Sequence, residues 1–242
     1  MLRYYITDRT AFPGDEQTRR RRLLDKIAEA ASAGVNYIQL REKDLPARDL
    51  ELLAREAICL INKLRAGNHE LRTALLINSR TDIALATNAA GVHLPANDIS
   101  PAEVPSIWKR GLEKCGPGSP AREISPKDAP ISISCHSPED VFQAAANSAT
   151  LALFAPVFEK KDVPGTSPTG LDALRQACHA KIPVLALGGI TLPKRRILPP
   201  RRRSRHRRHP PLPGKRHRRY RAHFARSLKH AVAAREEWLR SL

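Results

Sequence analysis

Short apolar runs alternate with longer stretches of helical spacing along the first 190 or so residues. Tyr4 to Ile6, Tyr37 to Leu40, Ala74 to Ile77, Gly91 to Leu94, Ile131 to Ser134, Leu151 to Phe154 and Pro183 to Leu187 read as seven strands. Residues Asp15 to Ala33 carry Leu23, Leu24, Ile27, Ala30 and Ala31 at helical spacing and stop at Gly34. Further helices are expected from about Ala47 to Leu64, from Thr81 to Thr87, and from Gly170 to His179. Ser100-Pro101-Ala102-Glu103 has the form of a capping box that opens another, and Ser137 with Asp140 marks a further helix start. Gly111 to Asp128 is polar and reads as a surface insertion, and Glu159 to Thr169 as a loop.

This alternation predicts parallel βαβ units, with strands apolar on both faces because helices cover them. Polar and Gly-rich residues follow strands two to seven, positions that share one rim in a (β/α)8 TIM barrel. A doubly wound open sheet is the alternative. No eighth strand is visible, so residues 1–192 are read as the barrel domain and 193–242 as a separate tail.

Composition sharpens that division. The net charge is +18, but Pro193 to Leu242 holds 18 basic and 2 acidic residues, against 24 and 22 before it. The body is nearly neutral and the Arg/Pro/His-rich tail carries the excess. Such a run is ordinarily a disordered basic arm for nucleic acid, although Tyr220 is the only Phe, Trp or Tyr between Pro193 and Arg221 for base stacking. The chain is 41% apolar, which suffices for a core, and has no run of about 18 apolar residues to span a membrane. Four cysteines without C-x-x-C spacing argue against a zinc site or disulfide framework and suit a reducing cytoplasm, and the N-terminus has no signal-peptide apolar region.

The chemistry gathers at strand ends. In Y-I-Q-L-R-E-K, Arg41 and Lys43 lie two apart in extended chain and form a pincer for phosphate or pyrophosphate, with Gln39 on the same side. The same pattern is also what an ordinary strand end with solvated charges looks like. His136 follows strand five, where on its own it reads as a helix-cap histidine. Asp98 reads as a cap for the next helix, and His93 as a structural residue inside the barrel.

These residues resemble the Q-x-R-x-K motif and associated sites of the thiamine phosphate synthase/TenI family, from Tyr4 to about Thr191. The resemblance implies that Gln39, Arg41 and Lys43 hold the pyrophosphate of a pyrimidine substrate, with Asn78 and Ser134 also binding substrate. It implies that Gly188 and Gly189 face a phosphate, that Asp98 holds magnesium if the protein is a synthase, and that His136 transfers a proton if it is a tautomerase, which needs no cofactor. The first magnesium aspartate is replaced by Ser79. The strand-six hydroxyl clamp is replaced by Phe158-Glu159-Lys160-Lys161-Asp162, in which Lys160 or Lys161 stands for the lysine. These departures favour a TenI-like tautomerase of thiazole phosphate, with thiamine phosphate synthesis as the alternative. A homo-oligomer is compatible with either. A binding module without turnover and a nucleic-acid binder using the tail are rivals from other classes.

The tail also has a genetic-code reading. Ile197 to Lys215, back-translated and read one base later, gives S-C-R-R-A-G-A-A-G-I-A-G-I-R-L-F-Q-E, similar to the eighth-strand region of the same family. One extra base near Leu192–Pro193 would make the tail an out-of-frame product and leave the chain impaired.

Overall fold

The computed structural model describes residues 2–114, 129–159, 167–190 and 230–234. Eight parallel strands form a closed barrel in chain order: β1 (Leu2–Ile6), β2 (Tyr37–Leu40), β3 (Ala74–Asn78), β4 (Gly91–Leu94), β5 (Ile131–Cys135), β6 (Leu151–Phe154), β7 (Val184–Ala186) and β8 (His230–Ala234). Among the described residues six α-helices alternate with them: α1 (Glu16–Ser32), α2 (Ala47–Gly67), α3 (Thr81–Thr87), α4 (Val104–Lys114), α5 (Pro138–Ala146) and α6 (Gly170–Ala177).

The TIM barrel is therefore as expected from the alternation. The eighth place, for which the sequence offered no candidate, is taken by β8. Leu2 to Tyr5 pair with Ala231 to Ala234, and Val184 to Ala186 with His230 to Val232. His-Ala-Val-Ala-Ala is a short uncharged run between Lys229 and Arg235, hidden from a reading that took the tail as one basic block. The rest of 193–242, the stretch 115–128 of the expected insertion, and Lys160 with Lys161 lie outside the described residues.

Strand periodicity divides the core into two layers. Leu2, Tyr4, Ile6, Tyr37, Leu76, Leu151, Leu153 and Leu185 fill the barrel interior. The alternate residues, among them Ile38, Leu40, Leu75, Ile77, Val92 and Leu94, pack outward against the helices. Helix α1 supplies Leu23, Ile27, Ala30 and Ala31, one face at helical spacing, and Asp15 caps it by accepting the Thr18 N–H at 2.8 Å. Ser137 and Asp140 form the full capping box of α5, as read from the sequence. The Ser100 box is only half made. Glu103 accepts the Ser100 N–H at 2.9 Å, but the Ser100 hydroxyl takes the Ala102 N–H instead, and α4 starts later, at Val104.

Gly91 lies where backbone closely approaches backbone between neighbouring strands. A Cβ there would lie 2.0 Å from the Pro130 carbonyl oxygen, the atom that accepts the Val92 N–H at 3.1 Å where β4 meets β5.

Candidate functional site at the barrel mouth

Inward-facing polar side chains begin halfway up the barrel, above its apolar floor. Tyr4 donates its hydroxyl to Gln39 Oε1 at 3.1 Å, and Gln39 Nε2 donates to Asn78 Oδ1 at 2.7 Å. Asn78 Nδ2 in turn donates to Ser79 Oγ at 3.1 Å. On the other side Tyr4 OH lies 3.4 Å from Ser132 Oγ, His93 Nδ1 lies 2.9 Å from Ser132 Oγ, and His93 Nε2 lies 3.0 Å from Ser134 Oγ. One chain of contacts thus joins β1 to β5.

Its polarity follows from donor bookkeeping. Tyr4 has one hydroxyl hydrogen and gives it to Gln39, so Ser132 donates to Tyr4. His93 Nδ1–H then donates to Ser132, and Ser134 donates to His93 Nε2. Every donor points the same way, from Ser134 at one end to Ser79 at the other. Burial, with the positive charge of Arg41 adding to it, lowers the His93 pKa to about 3, so the ring is neutral, as this chain requires. Burial likewise raises the Tyr4 phenol, which stays protonated.

Above this floor stand the rim residues. Arg41 is half-buried and Lys43 exposed, at the end of β2. Ser79 adopts φ +61°, a left-handed conformation uncommon for a residue with a Cβ, and donates its N–H to the His93 carbonyl at 2.8 Å. Gly188 and Gly189 have φ +95° and +61°. A Cβ on Gly189 would come within 2.5 Å of the Glu159 carbonyl oxygen, so the strand-seven turn can lie against the strand-six loop only because it is glycine. The Phe158 N–H donates to the Gly188 carbonyl at 3.2 Å and fixes that contact.

His136 is exposed, and its Nδ1–H donates to the Ala155 carbonyl at 2.6 Å. That bond assigns the hydrogen to Nδ1 and leaves Nε2 as an acceptor. The ring does not cap α5. The cap is Ser137, and Asp140 accepts the backbone N–H of both His136 and Ser137 at 2.9 Å. Partial burial pushes the Asp140 carboxyl up, but these N–H groups outweigh it and hold the group below the usual carboxylate range.

Apart from Lys160, which lies outside the described residues, the sequence-predicted residues lie on β2, β3 and β5 or just after β2, β4, β5 and β7, but not as equals. Gln39 is only 1% exposed, and both ends of its amide are engaged within the chain, so it is part of the floor rather than of the pincer. Gln39, Asn78 and Ser134 belong to one network. His136 is anchored separately to the loop after β6. Asp98 Oδ1 accepts the Ile99 N–H at 2.8 Å, and its other oxygen takes no hydrogen bond among the described residues. Tyr4 and Ser132 were missed by the sequence reading. Strand periodicity placed Tyr4 and Ser132 in strands, but nothing local said that their hydroxyls meet. His93 is inside the barrel as read, but it links two rim-side serines rather than merely filling space.

Among the described residues no group of three His, Cys, Asp or Glu side chains converges to hold a metal. Magnesium does not need such a cage. It binds through one or two carboxylates together with substrate phosphates, and the free oxygen of Asp98 fits that donor set. No helix among the described residues is long and apolar enough to cross a membrane.

The thiamine monophosphate synthase family model matches residues 4–112 and 114–197. A putative thiamine-phosphate synthase 2 of Aquifex aeolicus is 35% identical over 195 residues, covering 80% of this chain and 88% of that protein. A putative thiamine-phosphate synthase of Geobacter sulfurreducens is 37% identical, covering 77% and 75%. The thiamine-phosphate synthase of Clostridium acetobutylicum is 31% identical, with the same coverage. A solved structure of thiamine phosphate pyrophosphorylase from Pyrococcus furiosus superposes with a TM-score of 0.60 over 98% of this chain and 87% of that one. At 21% identity it speaks for the fold alone. The chain therefore belongs to the thiamine monophosphate synthase family.

Proposed function

We propose that the chain joins a pyrimidine pyrophosphate to a thiazole phosphate, releasing pyrophosphate and forming thiamine phosphate. The observation that carries this reading is the buried polar floor from Asn78 through Gln39, Tyr4, Ser132 and His93 to Ser134, set beneath Arg41 and Lys43. A flat nitrogen heterocycle would meet the polar groups at the two ends of that chain, Asn78 and Ser134, while its pyrophosphate reaches cations at the rim. In the reaction the carbon–oxygen bond to pyrophosphate breaks, and the thiazole nitrogen forms a new bond to the same carbon. Arg41 and Lys43 stabilise the charge that collects on the leaving group. Asp98 would hold magnesium, which supplies further charge stabilisation to pyrophosphate when bound. Gly188 and Gly189 leave room for the phosphate of the thiazole.

The names of the relatives favour this over the tautomerase that Ser79 and the strand-six loop suggested. The second reading keeps one specific support. The Nδ1–H bond of His136 to Ala155 leaves Nε2 ready to take a proton, as a thiazole tautomerase requires. Supplied with both substrates and magnesium, the protein expressed with its reading frame restored after Leu192 is expected to release thiamine phosphate and pyrophosphate in equal amounts. Neither product, together with thiazole phosphate isomerisation that is lost in His136→Ala, would establish the tautomerase instead.

Residues 193–242, His230–Ala234 included, are proposed to be an out-of-frame reading of the gene. The family match stops at residue 197, where the composition changes. With codons chosen to suit, the same one-base shift continues over Arg216 to Arg226 as N-D-I-A-A-I-V-R-T-L-R. That string has an N-cap pair followed by apolar residues at i, i+3, i+4 and i+7, as an amphipathic helix needs. Sequencing the gene from Leu187 to Phe224 is expected to find one extra base near Leu192. If the present frame stands, and a peptide from Ile197–Arg226 is found in cells, the tail is genuine and the proposal fails.

A further inference from the structure

The loop that carries Arg41 and Lys43 is gripped from below by the end of β1. Thr7, fully buried, accepts the backbone N–H of Arg41 on its hydroxyl oxygen at 2.9 Å and donates that hydroxyl to Glu42 Oε1 at 2.5 Å. Glu42 Oε2 accepts the backbone N–H of Arg9 at 3.0 Å and its Nη1 at 3.4 Å. The Arg9 guanidinium also holds Asp44 with two bonds, 2.7 and 2.9 Å, and Glu16 with a third, 2.7 Å. The side chains of Arg9 and Glu42 are only 6% and 1% exposed. Three of the four residues from 41 to 44 are thus fixed by Thr7 and Arg9, while Lys43 projects outward.

The placement of Glu42 is informative. A carboxylate buried between two rim cations works against anion binding by charge. Its three donors instead make a rigid joint between the first and second loops of the rim. We propose that Thr7, Glu42 and Arg9 are positioning residues for the Arg41–Lys43 pincer, with Thr7 setting the backbone of Arg41 directly. The inference rests on the proposed function only in taking pyrophosphate as the anion.

Thr7→Val tests it without altering charge. The variant keeps the shape of the side chain, but the Arg41 N–H and Glu42 both lose the hydroxyl. Titration of the full chain with inorganic pyrophosphate and magnesium is expected to give a Kd about tenfold higher than wild type. Thr7→Ser, which restores the hydroxyl, is expected to return it to within about twofold. In an Arg41→Ala/Lys43→Ala background, adding Thr7→Val should change the remaining affinity by less than about twofold, because residues acting through one another are not additive. A purely structural role would lower the Tm and leave the Kd unchanged, or weaken binding equally in both backgrounds. Either result overturns the inference. If Thr7→Val does not fold, Arg9→Lys, which keeps the charge and gives up the paired grip on Asp44, is expected to raise the Kd about threefold, and an unchanged Kd overturns it. A wild-type chain with no measurable affinity removes the anion site itself, and with it the proposed reaction. Wild-type affinity with an unchanged Thr7→Val removes only the positioning role.

Discussion

Gly91→Ala is expected to prevent soluble folding. The added methyl carbon would sit 2.0 Å from the carbonyl oxygen of Pro130 and 2.9 Å from its carbonyl carbon. Neither partner is a flexible side chain. Relief requires β4 and β5 to part, and neighbouring strands tolerate little change from about 4.8 Å spacing. Parting them would break the Val92 N–H bond to Pro130 and pull His93 away from Ser132 and Ser134. Ordinary overpacking costs about 1–3 kcal/mol, but here backbone meets backbone, and a loss of about 4 kcal/mol or more is expected. Soluble yield and urea denaturation measure it. A variant that folds with near wild-type stability would show that the strands are not packed so closely.

The second large effect is at Arg9. Arg9→Ala leaves Glu42 buried with its carboxylate facing only Thr7 and a backbone N–H. Breaking a buried pair by removing one partner costs about 3–5 kcal/mol. The bonds to Asp44 and Glu16 add little, since both carboxylates are more than half exposed. Arg9 does hold the Asp44 carboxyl below the usual range, chiefly through its direct hydrogen bonds, and that too would be lost. At about 2–4 °C per kcal/mol for a domain of this size, the Tm should fall by about 10 °C. Combining Arg9→Ala with Glu42→Gln removes the stranded charge and should recover part of the loss. A drop below about 1 kcal/mol in the single variant would mean that Glu42 is better hydrated than its burial implies.

The sequence made the barrel legible because its strands are buried on both faces. Leu75-Leu76-Ile77 and Leu151 to Phe154 are apolar runs that hardly depend on context. The helices were legible from spacing, and α5 from the Ser137–Asp140 box. β8 was not, because a five-residue His-Ala-Val-Ala-Ala run in a basic tail carries no periodic signal long enough to read. The rim residues were legible one at a time, from their places after strands. Their partners were not, because hydrogen bonds between Tyr4, Gln39, Ser132 and His93 join positions up to 128 residues apart. Thr7 and Arg9 could have been suspected from the polar Thr7-Asp8-Arg9 that directly follows β1, but only the fold brings them under Glu42.

The last strand has a consequence for how the chain reaches this state. Each of β1 to β7 pairs with the strand just before or after it in sequence, so seven strands can assemble as synthesis proceeds. Closure waits for His230–Ala234, which must slot between β7 and the first residues made. Until then β1 and β7 present open edges to other molecules. The equilibrium cost of so long a connection is small, since loop entropy grows only slowly with length. The kinetic cost is larger, because contacts between the two ends of the chain are the slowest to form.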